Sequence, residues 1–236
     1  MVIPIPAGPA GTALREELGG FVAEGARRIC THPYYTGLCD GTLPGRSLVH
    51  FTLQDSCHLL PSYGRAQARC SALARNGNQA RVLSRMATSA LEDAEVRLDG
   101  FAKTAARLGL PLPTGPAAPA PAPATLAYAN FLTAASSTSL AAGVGAVLPS
   151  AWLYMLVTDD LLVRHDPFSR YAEEVEKAHP GEFYRGMLGE FLDLAEEVAA
   201  GSSAAERAEL VRHAELAVRY EWAFVDAAWQ LQSWPF

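Results

Sequence analysis

The chain has 236 residues, of which 50% are hydrophobic and 19% charged, and its net charge is −6 at pH 7. This composition is typical of a folded globular protein and excludes a disordered one. The acidic balance and the lack of a long basic cluster argue against a nucleic-acid partner, which would need a surface of cationic side chains.

The beginning of the chain contains no recognisable targeting segment. Residues 1–11 lack a positively charged start and a continuous apolar run, so we expect a short flexible lead and not a secretory signal. The longest apolar stretch, residues 141–157, contains two glycines, Pro149 and Ser150, and is too broken for a comfortable membrane span. Four cysteines without a CxxC pair predict free thiols. We therefore predict a cytoplasmic protein that does not contact a membrane.

Helical periodicity dominates the first half of the chain, and strand alternation is missing. A first helix is predicted over residues 12–30, where His32-Pro33 follows its end. A second is predicted over 47–74, with a bend near Pro61, and a third from the Asn76-Gly77-Asn78 break to about Leu108.

A segment rich in proline and alanine, residues 111–125, separates the two halves of the chain. We interpret it as a stiff loop within one bundle, because neither half shows a self-sufficient pattern. Two buried helices are expected to meet at Pro149, and Ser203 with Glu206 fits a capping box. Residues 12–236 are therefore predicted to form a single all-α domain of about seven or eight helices. Its later helices are expected over residues 126–142, 149–164, 167–178, 182–199 and 203–231.

Two carboxylates interrupt apolar helical stripes. Asp55 shares a helix face with Phe51 and Leu59, and Glu221 shares one with Ala217 and Phe224. A carboxylate that faces a core must find hydrogen-bond partners or take up a proton, because burial of an unpaired charge is costly. The pattern alone is compatible with a structural polar network and with a catalytic site.

Five segments resemble the TenA/thiaminase II family in order and spacing, over roughly residues 12 to 235. The first runs from HPYYTGLCDGTLPGR to LQDSCHLL and contains a GxLP turn followed by a helix that carries Gln-Asp. The others are TLAYANFL, VLPSAWLYMLV, PFSRYAEE and RYEWAFVDAAW. The resemblance implies the heme-oxygenase-like helical fold, a small-molecule substrate, no cofactor, and a homo-oligomer such as a dimer or tetramer.

The resemblance also implies roles for individual residues. The family acts on aminopyrimidines or thiamin, and Asp55 matches its aspartate that hydrogen-bonds the ring. Tyr128 matches a tyrosine of the same site, and Glu221 matches the glutamate that moves protons during C–N cleavage. Tyr220 and Phe224 accompany Glu221 in the family pattern, and Phe51 is a candidate aromatic wall.

Two departures from the family pattern bear on the reaction. Ser150 stands where the thiaminase branch has its catalytic cysteine, and a hydroxyl needs an adjacent base before it can act as a nucleophile. The only candidate base is Glu221, while Ser150 could also be ordinary first-turn material of a helix. His58 replaces a tyrosine and can face the same site as Asp55, as a hydrogen-bond donor or a base. A partly buried histidine that packs on a neighbour is the equal alternative. The substrate is therefore an aminopyrimidine, a thiamin-like molecule or another small nitrogen-containing ring of specialised metabolism.

Two other classes of function fit parts of the sequence. A dimetal oxidase is one, because Asp55-x-x-His58 and Glu176-x-x-His179 have the spacing of helical metal ligands, which Glu92, Glu95 or His213 could supplement. The acidic run around Glu92 is more simply a solvated helix face. The other class is a non-catalytic ligand-binding homologue. The favoured interpretation remains a hydrolase that carries no metal.

Overall fold

A computed structural model describes residues 13–112 and 119–235, which form a bundle of helices without a strand. This confirms the predicted all-α class, while the proposed lead over residues 1–11 lies outside the described part. Most predicted bounds agree with the helices to within a few residues. The helices are α1 (Ala13–Cys30), α2 (Pro33–Asp40), α3 (Gly45–Gln54), α4 (Leu60–Ala72), α5 (Gly77–Leu108), α6 (Pro123–Thr138), α7 (Leu140–Arg164), α8 (Ala172–Ala178), α9 (Gly181–Ala200) and α10 (Ala204–Gln230).

A π-turn over Asp55–Leu59 joins α3 and α4 into one continuous segment. The backbone N–H of Leu60 donates to the carbonyl of Asp55, five residues earlier, as in a π-helix. Pro61 follows directly, and it cannot donate to the carbonyl four residues before it. The bend predicted near Pro61 stays a prediction, and the irregularity that the structure shows is a widened turn that begins at Asp55.

The predicted meeting of two helices at Pro149 is wrong. The break lies at Ser139, whose extended backbone ends α6 and whose hydroxyl accepts a hydrogen bond from the Ala142 N–H at 3.1 Å. Helix α7 then continues through Pro149 to Arg164. A proline ring crowds the carbonyl four residues earlier, which here is that of Gly145. Ser150 therefore lies inside a long helix and not in its first turn.

Helix α2 is absent from the prediction. Its N-cap is His32, whose Nδ1 accepts a hydrogen bond from the Tyr34 N–H at 3.1 Å, and Pro33 supplies a pre-set first position. A sequence of eight residues is too short to show a clear helical period. Helix α8 begins at Ala172, later than the expected residue 167, because residues 166–171 form turns.

Helix α7 is the central helix of the bundle and packs against α1, α6, α9 and α10. It is long and apolar enough to cross a membrane, but its most apolar 18-residue stretch is 89% buried by the other helices. That burial is what a core helix requires. The large contact between α7 and α10 also brings two candidate site residues, Ser150 and Glu221, to the same side of the core.

We predict that Gly145→Ala destabilises the protein. An added Cβ would lie 2.3 Å from the Leu210 carbonyl oxygen, and backbone cannot yield as a flexible side chain does. The expected loss in urea unfolding is about 1–3 kcal/mol. Gly100→Ala is the matched control, because a Cβ there meets nothing within 4 Å. It should gain roughly 0.5–1 kcal/mol, and equal effects of the two substitutions would contradict the packing.

Candidate active site

The π-turn places Asp55 at the start of a widened helical turn, with its side chain only 13% exposed. One carboxylate oxygen, Oδ2, lies 3.3 Å from the Arg97 Nη1 of helix α5. Burial raises the pKa of Asp55, Arg97 opposes this, and the nearby charge of Asp93 adds to it. Asp55 is therefore a buried acid with one cationic partner, as the apolar stripe in the sequence requires.

Glu221 on α10 is held by a tyrosine of another helix. Its Oε1 accepts a hydrogen bond from the Tyr128 hydroxyl of α6 at 2.8 Å. The ring of Tyr128 is fully buried and stacks on Tyr220, with centroids 5.2 Å apart and planes 6° from parallel. The three residues predicted from the RYEW and TLAYA segments thus form one cluster between α6 and α10.

Ser150 joins this cluster from α7. Burial raises the pKa of Glu221, and hydrogen bonds with the Ser150 and Tyr128 side chains oppose that rise. Ser150 also lowers the pKa of Tyr128, so its hydroxyl interacts with both partners. A carboxylate and a serine hydroxyl in contact can exchange a proton, so the geometry permits either a base or a base-nucleophile pair.

The two carboxylates lie close enough to interact through their charges. The rings of Phe51 and Phe224 are 5.1 Å apart, and each lies about one helical turn from a carboxylate, Asp55 or Glu221. The charge of Asp55 contributes to the raised pKa of Glu221. Tyr35 of α2 is influenced by both, because burial, Glu221 and Asp55 together raise its pKa. The packing of α3 against α10 therefore brings the two stripes of the sequence together.

His58 is engaged by the segment that precedes α6. Its Nε2 donates to the carbonyl of Pro119 at 2.6 Å, while Gln54 donates to Ala120 and accepts from the Ala122 N–H. A π-turn has more residues per turn than an α-helix. His58, three residues after Asp55, therefore projects in a direction different from that of Asp55. His58 thus anchors a connecting segment beside the site, and its role in substrate binding stays a prediction.

Several site residues have no clear signal in the sequence. The guanidinium carbon of Arg97 lies 5.4 Å from the ring centroid of Tyr154, and the Tyr154 and Tyr184 rings meet edge to face at 5.3 Å. Tyr154 was detectable, since it follows Ser150 by four residues on the same helix face. The sequence gives no signal for Arg97, because it follows the acidic run of α5 and looks like part of a solvated helix face. In the structure Glu92 and Glu95 are exposed, but Asp93 is half-buried.

The residues of the dimetal alternative lie in different environments. His179 contacts the Asp159 carboxylate at 2.8 Å, and the Nδ1 of His213 donates to the Glu209 carbonyl at 2.8 Å. Glu176 is 58% exposed. Within the described ranges, no three His, Cys, Asp or Glu side chains converge as they would around a metal ion. The two helical pairs therefore do not form the ligand set that this alternative needs.

Residues 22–231 match the model of a protein family described as TENA/THI-4/PQQC. An aminopyrimidine aminohydrolase from Bacillus subtilis (strain 168) is 26% identical over 232 residues, which are 93% of this chain and 91% of that protein. The thiamine biosynthesis multifunctional protein ThiED of Corynebacterium glutamicum is 29% identical over 224 residues, or 94% of this chain and 27% of that longer protein.

The fold is also that of solved structures. A TenA homologue from P. horikoshii OT3 superimposes with a TM-score of 0.71 at 23% identity, over 92% of this chain and 98% of the other. This likeness confirms the predicted helical fold.

We predict that Glu221→Gln stabilises the protein at pH 7. Because burial raises the pKa of Glu221, the native carboxyl keeps its proton to a higher pH than the unfolded one, and stability is lost as pH rises through the folded pKa. Glutamine avoids that loss and still accepts from Tyr128. The expected gain in urea unfolding at pH 7 is roughly 0.5–2 kcal/mol, shrinking near pH 4. A gain that is independent of pH would contradict the assignment.

Proposed function

This chain belongs to the TENA/THI-4/PQQC family, and we propose that it is a hydrolase that cleaves a C–N bond in a small nitrogen-containing ring compound. The substrate class that fits best is an aminopyrimidine or a thiamin-like molecule, as the name of the Bacillus subtilis relative suggests. A homo-oligomer, a cytoplasmic location and a place in specialised metabolism stay predictions of the sequence.

The observation that carries the proposal is the convergence of two buried carboxylates with different partners. Asp55 has a cationic partner, Arg97, whereas Glu221 has two hydroxyl partners, Tyr128 and Ser150. Burial raises the pKa of both carboxyls, and the guanidinium of Arg97 opposes that rise at Asp55. A carboxylate beside a cation suits the binding of an amino group, and a carboxylate among neutral hydroxyls suits proton transfer. We therefore propose that Asp55 anchors the substrate and that Glu221 transfers protons.

In the proposed reaction, Asp55 accepts a hydrogen bond from an amino or protonated ring nitrogen of the substrate. Phe51 and Phe224 supply an apolar, aromatic wall beside that anchor, and Tyr220 stacks on Tyr128 on the side of Glu221. Flat rings pack well against such surfaces. The aromatic residues therefore account for a preference for a planar substrate.

Glu221 is proposed to act as the general base on water. It takes a proton from the attacking water, whose oxygen forms the new bond to carbon as the C–N bond breaks. The proton then passes from Glu221 to the leaving nitrogen, which departs as an amine, so that charge and atoms balance. Tyr128 holds the carboxylate by Oε1 throughout, and the Ser150 hydroxyl helps to stabilise its ionised form.

Substitutions of Glu221 and Ser150 separate this route from a covalent one. Glu221→Gln should lower kcat on an aminopyrimidine about 10²–10⁴-fold, the usual contribution of a general base. Ser150→Ala removes one hydrogen bond and should cost about tenfold or less. If Ser150→Ala is as inactive as Glu221→Gln, Ser150 is the nucleophile; full activity of Glu221→Gln would refute the mechanism.

The pH dependence offers a second test, through Tyr128→Phe. The hydroxyl stabilises the ionised carboxylate, so its loss raises the pKa of Glu221 and moves the acid limb of the kcat profile to higher pH. Tyr63→Phe is the matched control, because this buried hydroxyl donates to the Val147 carbonyl at 2.9 Å and not to Glu221. An acid limb that stays in place in Tyr128→Phe, or that moves equally in the control, would contradict the role of Glu221.

A further inference from the structure

Arg97 is a charged residue at the site that the proposed reaction does not use. It lies on α5, far along the chain from both carboxylates, and its side chain is 34% exposed while that of Asp55 is 13% exposed. The guanidinium packs over the Tyr154 ring at 5.4 Å, a distance typical of a cation–π contact. Its position is therefore fixed by two contacts, one to a ring and one to a carboxylate.

The contact between Arg97 and Asp55 is end-on. A single nitrogen, Nη1, reaches a single oxygen, Oδ2, at 3.3 Å, and not the fork of two parallel bonds that arginine often forms. Oδ1 of Asp55 has no hydrogen-bond partner among the described residues. Because a carboxylate oxygen can accept two hydrogen bonds, the arrangement leaves an acceptor available for a ligand.

The other groups around Asp55 are acidic or neutral. Asp93 of α5 acts on Asp55 with negative charge, and the charge of Asp55 in turn raises the pKa of Glu221 of α10. The charge of Asp55 also raises the pKa of three tyrosines, which are Tyr34 and Tyr35 of α2 and Tyr154 of α7. The remaining packed elements, α3, α4 and α6, bring no charged group that acts on Asp55 within the described part. Arg97 is thus what opposes protonation of Asp55.

We propose that Arg97 is a positioning residue that holds Asp55 by Oδ2 and leaves Oδ1 to accept the amino group of the substrate. This role rests on the proposed function, because it requires a substrate that bears an amino group and whose C–N bond is cleaved beside Glu221. Burial raises the pKa of Asp55 and Arg97 lowers it. Without Arg97, Asp55 takes up a proton at higher pH, and a protonated carboxyl is a much weaker partner for an amino group.

The test compares Arg97→Gln and Arg97→Lys with the native enzyme in steady-state kinetics on an aminopyrimidine, between about pH 5 and pH 8. Arg97→Gln should raise KM about tenfold, which corresponds to the loss of one charge-assisted hydrogen bond, with little change in kcat. The acid limb of the KM profile should move to higher pH. Arg97→Lys keeps the charge, so its limb should stay in place and its KM should lie between the other two.

Arg85→Gln is the matched control for these variants. Arg85 lies on the same helix, is 35% exposed, and pairs with Glu190 far from the site. Its loss should leave KM and its pH profile unchanged. Urea unfolding of every variant identifies misfolding. Where Arg97→Gln does not fold, the KM of Arg97→Lys decides: a KM above the native value supports the role of Arg97, and a native KM overturns it.

The failures of the two proposals are distinguishable. In an active native enzyme, an unchanged KM and acid limb in Arg97→Gln would overturn the role of Arg97 and leave the hydrolase standing. If the native protein shows no turnover, the proposed hydrolase activity is overturned. Calorimetric binding of the same aminopyrimidine then tests the role of Arg97, and tenfold weaker binding by Arg97→Gln supports that role. No binding by the native protein overturns both proposals.

Discussion

The site depends on one constraint, the burial of two carboxylates between packed helices. Each must be stabilised by groups from other helices, since desolvation of an unpaired charge costs several kcal/mol. Asp55 meets Arg97 of α5, and Glu221 meets Tyr128 of α6 and Ser150 of α7. These partners come from across the chain, so the fold must be complete before either carboxylate is satisfied. The packing of the helices therefore also determines the environment of each carboxylate.

The local structure around Asp55 shows how the backbone contributes. The π-turn widens the helix where Asp55 begins it, and Pro61 prevents an ordinary helical bond two residues after the turn ends. Rare π-turns often accompany functional positions, because they re-aim side chains within an otherwise regular helix. Here the Asp55 carboxylate contacts Arg97 of α5, while His58 donates a hydrogen bond to the segment that precedes α6. In the Gln-Asp motif, Asp55 therefore pairs with Arg97, while its neighbours Gln54 and His58 hold the surrounding chain.

The sequence predicts the helical class and most helix bounds, because these follow from periodicity. It also singles out Asp55 and Glu221 as carboxylates that need partners, because a charge in an apolar stripe is costly. It does not predict α2, which is too short to show a period, or the continuity of α7, because Pro149 usually ends a helix. Arg97 is missed for a different reason. An arginine four residues after Asp93 looks like an exposed helix pair, and only tertiary packing shows that it points to Asp55.

If Asp55 anchors the substrate and Glu221 transfers protons, both side chains face a common ligand. A crystal structure of the Glu221→Gln variant with an aminopyrimidine bound tests this most directly. The ring is expected between the two side chains, with its amino nitrogen at about 3 Å from Oδ1 of Asp55. A ring bound elsewhere, or one whose amino group does not contact Asp55, would contradict it.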